Sequence, residues 1–366
     1  MSIHPVLGPN RLKLGLFCMN TMSALTTAPD LFAGDWDSCV RLARMADDAG
    51  LEAFVPIARW KGYVDDAFDH PSNAVFEPFT FAAGIAQATR RIGVFATTHA
   101  PTVHPLIVAK QAATVDHISR GRFAMNVVGG WNRREFDMFG IDLLDHEDRY
   151  VYLAEWLDIV RRLWSADAEF DVESAHFAMK RALSRPQPVR GSVPIMNAGF
   201  SPTGMRFAAA NSDIGLIGLF GADEAAWAEQ IGQYKALARE QFGKDIQVWT
   251  NAPTIVRDSD SDADLLYRHY TEACADQAAI DSFVGTLARE NKVAESSEQM
   301  AFLRRNAVLG SGFPLIGSPD SVADRLVALS RAGLDGVIMS FVDAIDGMHR
   351  VERDVLPRLQ KAGVRG

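Results

Sequence analysis

GRFAMNVVGGWNRREF, residues 121–136, is the stretch that decides the fold of this chain. Its first half, Phe123–Val128, is an apolar run with the length and composition of a buried β-strand. Two glycines follow, and glycine lets the backbone approach another group closely. Asn126, Trp131 and Glu135 add polar and aromatic side chains within one short segment. A strand that ends in this way is typical of a ligand pocket at the carboxyl end of a barrel strand.

Strand-like runs rich in β-branched and aromatic residues recur along the chain, separated by amphipathic helical segments. This alternation predicts an α/β fold with a parallel sheet, and eight such units predict a closed TIM (β/α)8 barrel. An open, doubly wound sheet is the alternative. The predicted strands are residues 12–18, 53–58, 92–98, 123–128, 194–198, 214–219, 247–256 and 336–341. The predicted helices include residues 36–49, 78–89, 106–118, 150–164, 201–210, 222–242 and 319–332.

Two segments interrupt the repeat. Residues 170–188 contain short alternating pieces followed by prolines, which predicts a small hairpin inserted before strand five. Residues 258–310 lack a strand pattern, so we expect a mostly helical insertion between strands seven and eight. Because no linker or internal repeat divides the chain, residues 1–366 are interpreted as a single barrel domain.

The composition is that of a globular enzyme with a sizeable core, since 48% of the residues are hydrophobic and 23% are charged. The net charge of −9 and the lack of a basic stripe make nucleic acid a poor partner. We expect a cytoplasmic protein without a membrane span, because the sequence shows neither a long apolar run nor a secretory signal. Three scattered cysteines, Cys18, Cys39 and Cys274, form no metal-binding pattern, and no metal site is predicted.

In such a barrel the active-site residues lie at the carboxyl ends of the strands. These positions carry no hydrolase motif, no GxGxxG and no P-loop, which argues against a tightly held dinucleotide. A flat anionic cofactor fits better, with Arg149, Ser201 and the N–H groups of a helix start for its phosphate. The strand-end candidates are Ala58, Arg59, Trp60, Lys61, Thr97, Thr98, His99, Asn126, Gly129, Gly130, Trp131, Glu135, Asn197, Gly199, Ser201, Asp343 and Asp346.

Several candidates also have an ordinary structural explanation. Asn126 inside an apolar strand costs about 1–3 kcal/mol if it is left unpaired, so it must bond either neighbouring backbone or a ligand. Thr97 and Thr98 are common strand residues, and Trp131 can close the barrel mouth by packing alone. Arg149, within HEDRY, can serve as a solvated charge near a helix start. The residues taken one by one leave these alternatives open.

Longer motifs extend the pattern over nearly the whole chain. They are AKQAATVDHISRGRFAMNVVGGW (109–131), REFDMFGI (134–141), HEDRYVYLAEWLDIVRRLW (146–164) and PIMNAGFSPTGMRFAA (194–209). On these motifs the chain resembles the bacterial luciferase-like FMN-dependent monooxygenases. Within that family it is most similar to the group of pyrimidine, dimethyl sulfone and dibenzothiophene sulfone monooxygenases.

The resemblance implies a TIM barrel that binds reduced FMN (FMNH2) and O2. A separate NAD(P)H:flavin reductase supplies FMNH2 in such systems, so NAD(P)H acts only through that transient partner, and a homodimer or homotetramer is implied. Thr97 and Asn126 match the residues that shape an oxygen pocket beside flavin N5, and they are the implied catalytic residues. The implied FMN-contacting residues are Ala58, Arg59, Asn126, Glu135, Arg149, Tyr150 and Ser201.

The resemblance also implies a reaction, in which a flavin peroxide attacks an electron-poor carbon and an adjacent C–N or C–S bond breaks. A small N-heterocycle or a sulfone is therefore the implied substrate. The predicted substrate pocket contains Trp60, His99, Gly129 and Trp131. Gly129 replaces a threonine of the pyrimidine enzymes and THAP (98–101) is also distinct, so we expect a substrate other than uracil. The alternatives are an F420-dependent oxidoreductase on the same barrel and a non-catalytic flavin-binding partner subunit.

Overall fold

A computed structural model describes residues 3–22, 24–199, 201–220, 223–290, 298–310 and 312–366. Within these ranges, eleven strands form one nine-stranded sheet and one two-stranded hairpin. In chain order the strands are β1 (Lys13–Phe17), β2 (Ala53–Val55), β3 (Gly93–His99), β4 (Phe123–Val128), β5 (Phe170–Glu173), β6 (Ala178–Ala182), β7 (Ile195–Asn197), β8 (Ile214–Ile217), β9 (Gln247–Val256), β10 (Leu315–Gly317) and β11 (Gly336–Ser340).

The α-helices of the described ranges surround this sheet. They are α1 (Trp36–Asp48), α2 (Pro78–Ala88), α3 (Pro105–Ser119), α4 (Arg133–Phe139), α5 (His146–Ser165), α6 (Pro202–Asn211), α7 (Glu224–Phe242), α8 (Asp260–Arg268), α9 (Gln277–Glu290), α10 (Glu298–Ala307), α11 (Pro319–Arg331), α12 (Ala344–Arg350) and α13 (Leu356–Lys361). The helix predicted over 222–242 corresponds to α7, and its residue 222 lies outside the described ranges. In the part of the chain that is described, no helix is both long enough and apolar enough to span a membrane.

The large sheet closes on itself as a parallel barrel. Its strands pair in the order β11-β1-β2-β3-β4-β7-β8, and β9 pairs with both β8 and β11. The barrel ladders are parallel, as in the pairing of Leu14 with Val337 and of Thr97 with Asn126. The predicted TIM barrel is therefore confirmed, and the alternative of an open sheet is wrong.

The barrel strands differ from the predicted ones mainly at their ends. The strand predicted over 53–58 ends at Val55, because Pro56 has no N–H to donate to a neighbouring strand. β10 was not predicted, since its three residues are too few to show a periodic pattern. It extends the sheet beside the end of β9, where Leu315 pairs with Thr254.

The predicted insertions before strand five and between strands seven and eight are confirmed. β5 and β6 form an antiparallel hairpin between α5 and β7. Helices α8, α9 and α10 and a π-helical turn, His269–Ala273, lie between β9 and β10. Residues 291–297 of the predicted 258–310 insertion lie outside the described ranges.

Alternation along each strand determines which side chains face the barrel axis. An apolar cluster with members from strands all round the barrel contains Phe95 of β3 and Ala124 of β4, so these residues point inward. Thr97 and His99 lie two and four residues beyond Phe95, and Asn126 lies two residues beyond Ala124. These three polar side chains therefore face the axis at the carboxyl end of the barrel.

A buried ion pair ties the end of the chain to the opposite, amino end of the barrel. Arg365 Nη1 donates to Glu52 Oε2 at 2.7 Å, and Leu14 N donates to the same oxygen at 2.8 Å. The two charged side chains are 4% and 8% exposed. In TIM barrels this end serves stability, while the carboxyl end carries the active site.

Candidate active site

Thr97 and Asn126 lie side by side at the ends of β3 and β4, opposite each other in the ladder. Asn126 Nδ2 donates to Thr97 Oγ1 at 3.1 Å, and Thr97 Oγ1 donates to Pro56 O at 2.5 Å. Because the Pro56 carbonyl can only accept, the atom of Asn126 that faces Thr97 must be the NH2 group. Asn126 Oδ1 is buried and has no hydrogen-bond partner among the described residues. The pair therefore presents an oriented amide to the barrel axis.

A histidine and a glutamate meet just beyond this pair. His99 is the last residue of β3, and Glu135 lies in α4. His99 Nδ1 is 3.4 Å from Glu135 Oε2, and each side chain is 3% exposed. Their alignment is not that of a hydrogen bond, so within the described ranges both atoms are buried without a hydrogen-bonding partner. Glu135 Oε1 accepts from Trp60 N at 3.1 Å, which joins the loop after β2 to α4.

The two glycines after β4 differ in whether the structure requires a glycine at their position. Gly130 has a φ of 82°, and a β-carbon there would overlap the Phe136 ring. A β-carbon at Gly129 would lie 3.6 Å from Arg149 Cβ, an ordinary contact. Gly130 is thus required by the fold, whereas Gly129 would accept a β-carbon against Arg149. Arg149 Nη1 donates to Gly130 O at 2.7 Å and so links α5 to this loop.

The starts of α5 and α6 form a second polar group. Ser201 caps α6, because its Oγ accepts from Gly204 N at 3.0 Å. The Tyr150 hydroxyl lies beside Ser201, and a β-carbon at Gly204 would overlap that hydroxyl. Burial raises the pKa of Tyr150 above its ordinary value, so the phenol stays protonated at neutral pH. A helix N-terminus flanked by hydroxyls suits a phosphate group.

The loop after β2 carries Ala58 and Arg59, both half-buried. Arg59 Nη2 donates to Thr21 Oγ1 at 3.3 Å, and the guanidinium carbon lies 4.9 Å from the centre of the Tyr63 ring. No hydrogen bond joins Arg59 to Thr97 or Asn126 in the described part of the chain. The next residue, Trp60, is 38% exposed and packs edge-on against an aromatic ring of α4.

The helical insertion contacts the loops around the barrel mouth. Phe283 of α9 packs edge-on against Trp131, with ring centres 6.0 Å apart, and against Tyr63, at 5.1 Å. His70 Nε2 and Asp276 Oδ2 are 2.7 Å apart, which joins the loop after β2 to the residue just before α9. The insertion therefore restricts access to the polar side chains beneath it.

Further asparagines belong to this end of the barrel. Asn132 and Asn197 are each 2% exposed, and the Oδ1 atom of each lacks a hydrogen-bond partner among the described residues. Asn197 was among the strand-end candidates, and its Nδ2 donates to Val127 O at 2.6 Å. Asn132 was missed, although a polar residue directly after GGW is the same kind of signal. Asn20 was also missed; it exchanges two hydrogen bonds with Ile57 and so positions the loop after β2.

The described residues contain no group of three or more His, Cys, Asp or Glu side chains placed to hold a metal ion. The polar groups at the barrel mouth form two sets. One set surrounds the ends of β3, β4 and β7, and the other lies at the starts of α5 and α6. Arg149 connects them, because α5 carries it and it bonds the loop after β4. A ligand with a polar ring and an anionic arm matches this arrangement.

Comparison with known proteins identifies the family of this chain. The pyrimidine monooxygenase RutA of Enterobacter sp. (strain 638) is 32% identical over 362 residues, covering 95% of this chain and 96% of that protein. RutA of Acinetobacter baylyi is 28% identical over 355 residues, covering 94% of each. A solved structure of the riboflavin lyase RcaE, with modified FMN and riboflavin, has a TM-score of 0.85 at 22% identity and covers 97% of this chain and 92% of its own. Residues 12–336 match the model of one family, and the chain belongs to the luciferase-like monooxygenases.

Proposed function

We propose that this protein is a two-component flavin-dependent monooxygenase. It takes FMNH2 from a separate NAD(P)H:flavin reductase and uses O2 to cleave a C–N or C–S bond in a small N-heterocycle or sulfone. The observation that carries the proposal is the Thr97–Asn126 pair, whose oriented amide faces the axis at the carboxyl end of the barrel. Family membership and the RutA relatives support the same conclusion.

The unpaired buried polar atoms support a flavin as the ligand. A buried polar atom without a partner costs about 1–3 kcal/mol, so a cluster of them indicates a ligand that supplies the partners. Oδ1 of Asn126 and Oδ1 of Asn132 are acceptors of this kind. The flavin ring has N–H and C=O groups along its edge that match such a set. The residues present therefore fit FMN.

The proposed FMN contacts follow the two polar sets. Asn126 and Glu135, with Ala58 and Arg59 of the loop after β2, would hold the ring. Arg149, Tyr150 and Ser201 would hold the phosphate at the start of α6, where the helix dipole and a protonated phenol favour an anion.

Bound FMNH2 supplies the electrons that reduce O2. Asn126 has a second N–H beside the one used by Thr97, and this donor stabilises negative charge that develops on oxygen near the barrel axis. Thr97 holds the amide in place, because its own proton is committed to Pro56 O. Phe283 and the loops beneath it restrict access of water, which strengthens these interactions.

The proposed substrate pocket contains Trp60, His99, Gly129 and Trp131. Trp60 and Trp131 offer aromatic faces. Gly129 lacks the side chain of the threonine that the pyrimidine enzymes carry there, which supports a substrate that differs from uracil.

The test is a binding and turnover experiment with the full chain. Protein fluorescence is titrated with FMN and with F420, and FMNH2 is then supplied in air by a flavin reductase with uracil, other N-heterocycles and dimethyl sulfone as probes. We expect FMN binding and oxidation of at least one probe. Binding of F420 in place of FMN would show the deazaflavin alternative to be correct, and FMN binding without any oxidised product would indicate a non-catalytic subunit.

A further inference from the structure

The His99–Glu135 pair has a geometry that FMN binding alone does not explain. The two side chains are among the least exposed polar groups of the site, at 4% and 2% for the whole residues. Their facing atoms, Nδ1 and Oε2, are 3.4 Å apart and have no hydrogen-bond partner within the described residues. A small rotation of either group would make this contact a hydrogen bond, and catalytic contacts of this kind are often long before a ligand binds.

The position of His99 places it next to the proposed oxygen pocket. His99 and Thr97 lie two residues apart on β3 and face the barrel axis together, which separates their Cα atoms by about 7 Å. A ligand that reaches the Thr97–Asn126 pair therefore lies within reach of the His99 ring. Because Nδ1 is turned to Glu135, Nε2 is the nitrogen that can exchange a proton with that ligand.

We infer that His99 is an additional catalytic residue, which carries a proton through Nε2 to the oxygen atom that leaves as water, and that Glu135 is its positioning residue. The inference rests on the proposed function. A carboxylate that accepts from Nδ1–H favours the neutral tautomer in which Nε2 carries a lone pair and can take up a proton. The same carboxylate stabilises the imidazolium that forms when Nε2 is protonated.

The step balances with the reactants already named. Monooxygenation converts substrate, O2 and FMNH2 to oxygenated substrate, FMN and water; FMNH2 and substrate each give two electrons. The O–O bond breaks, one oxygen bonds to the substrate, and the other takes up two protons. His99 delivers one of these and recovers a proton released as FMNH2 is oxidised, so the histidine is unchanged after a turnover.

Among the described residues, Glu135, Arg59 and Tyr63 are charged or titratable groups near the pair. Glu135 approaches His99 from α4, and Asn126 of β4 is neutral. Arg59, in the loop after β2, is close enough to Glu135 for the two charges to interact. Glu135 Oε1 is held by Trp60 N, which directs Oε2 toward the histidine.

The first test measures the tautomer of the His99 ring directly, with oxidised FMN bound and without turnover. ¹⁵N-histidine NMR of the wild type, with His99→Gln to assign the signal, should show an Nδ1–H tautomer for His99. Glu135→Gln keeps an acceptor for Trp60 N and should change this tautomer distribution. A His99 ring protonated on Nε2 in the neutral form, or a tautomer unaffected by Glu135→Gln, would overturn the inference.

The second test compares His99→Gln with His104→Gln, a matched change at an exposed histidine that caps α3. For the probe that the wild type oxidises, His99→Gln should lower product formation on the order of 10²-fold and flatten its pH dependence, while more O2 is released as H2O2. His104→Gln should retain the wild-type rate and profile. If His99→Gln keeps the wild-type ratio of product to H2O2 and the wild-type pH dependence, the inference is overturned while the proposed function stands. A wild type that oxidises no probe would refute the proposed function and this step with it.

Discussion

Replacing Thr97 with valine keeps the shape of the side chain and removes its hydroxyl. Two hydrogen bonds are lost, to Pro56 O at 2.5 Å and from Asn126 Nδ2 at 3.1 Å, in a residue that is 7% exposed. We expect a loss of unfolding free energy of about 1–3 kcal/mol, because the Asn126 amide is left without an acceptor. Since the amide is then no longer oriented, kcat should fall on the order of 10²-fold.

The assay pairs urea unfolding with product formation from FMNH2 in air. Thr250→Val is the matched control, because it removes the same atoms from a fully buried threonine whose Oγ1 donates to Ile217 O at 2.8 Å. Thr250 follows the inward-facing Trp249 and so points away from the axis. Thr250→Val should lower the unfolding free energy by about 1 kcal/mol and leave kcat unchanged. Equal kcat values for the two variants would refute the proposed role of Thr97.

Three further predictions concern stability. Gly130→Ala should destabilise the protein by about 1–3 kcal/mol, because an alanine there is strained at positive φ and overlaps a ring of α4. Gly129→Ala should leave the midpoint of urea unfolding unchanged, and equal midpoints for the two variants would contradict this distinction. Burial lowers the pKa of His4 from 6.5 to about 4, so the unfolded chain binds more protons between these pH values. About 3 kcal/mol of stability is therefore lost as the pH falls from 6.5 to 4. His4→Gln should flatten this part of the stability–pH curve, and an unchanged slope would argue against this role of His4. Glu52→Gln should lower the unfolding free energy by about 3 kcal/mol, because it leaves Arg365 buried without its carboxylate, while FMN affinity should be retained. A melting temperature equal to that of the wild type would be inconsistent with this loss of stability.

Much of the architecture could be predicted from local pattern. Apolar runs alternating with amphipathic helices predicted the barrel, because a strand covered on both faces needs apolar residues throughout. β10 could not be predicted, because three residues are too few to show a periodic pattern. The early end of β2 depends on Pro56, which lies where a backbone N–H would have to bond the neighbouring strand.

The candidate site could be predicted only in part. Position toward the carboxyl end of a strand identified Asn126 and His99, because the carboxyl ends of parallel strands meet at one edge. The contact between His99 and Glu135 could not be predicted, since it joins residues 36 positions apart whose approach depends on how α4 packs over the barrel. Asn132 was missed because only its burial without a partner for Oδ1 distinguishes it from an ordinary loop asparagine.

The sequence by itself determined the class of fold, the family and the identity of the polar residues at the strand ends, because these follow from periodicity and motif. Only the tertiary structure decided which of these residues meet. It separated Gly130, which the fold requires, from Gly129, where a β-carbon would make only an ordinary contact with Arg149. It also oriented the Asn126 amide through Thr97 and Pro56, since hydrogen-bond direction depends on partners that lie far apart in the chain.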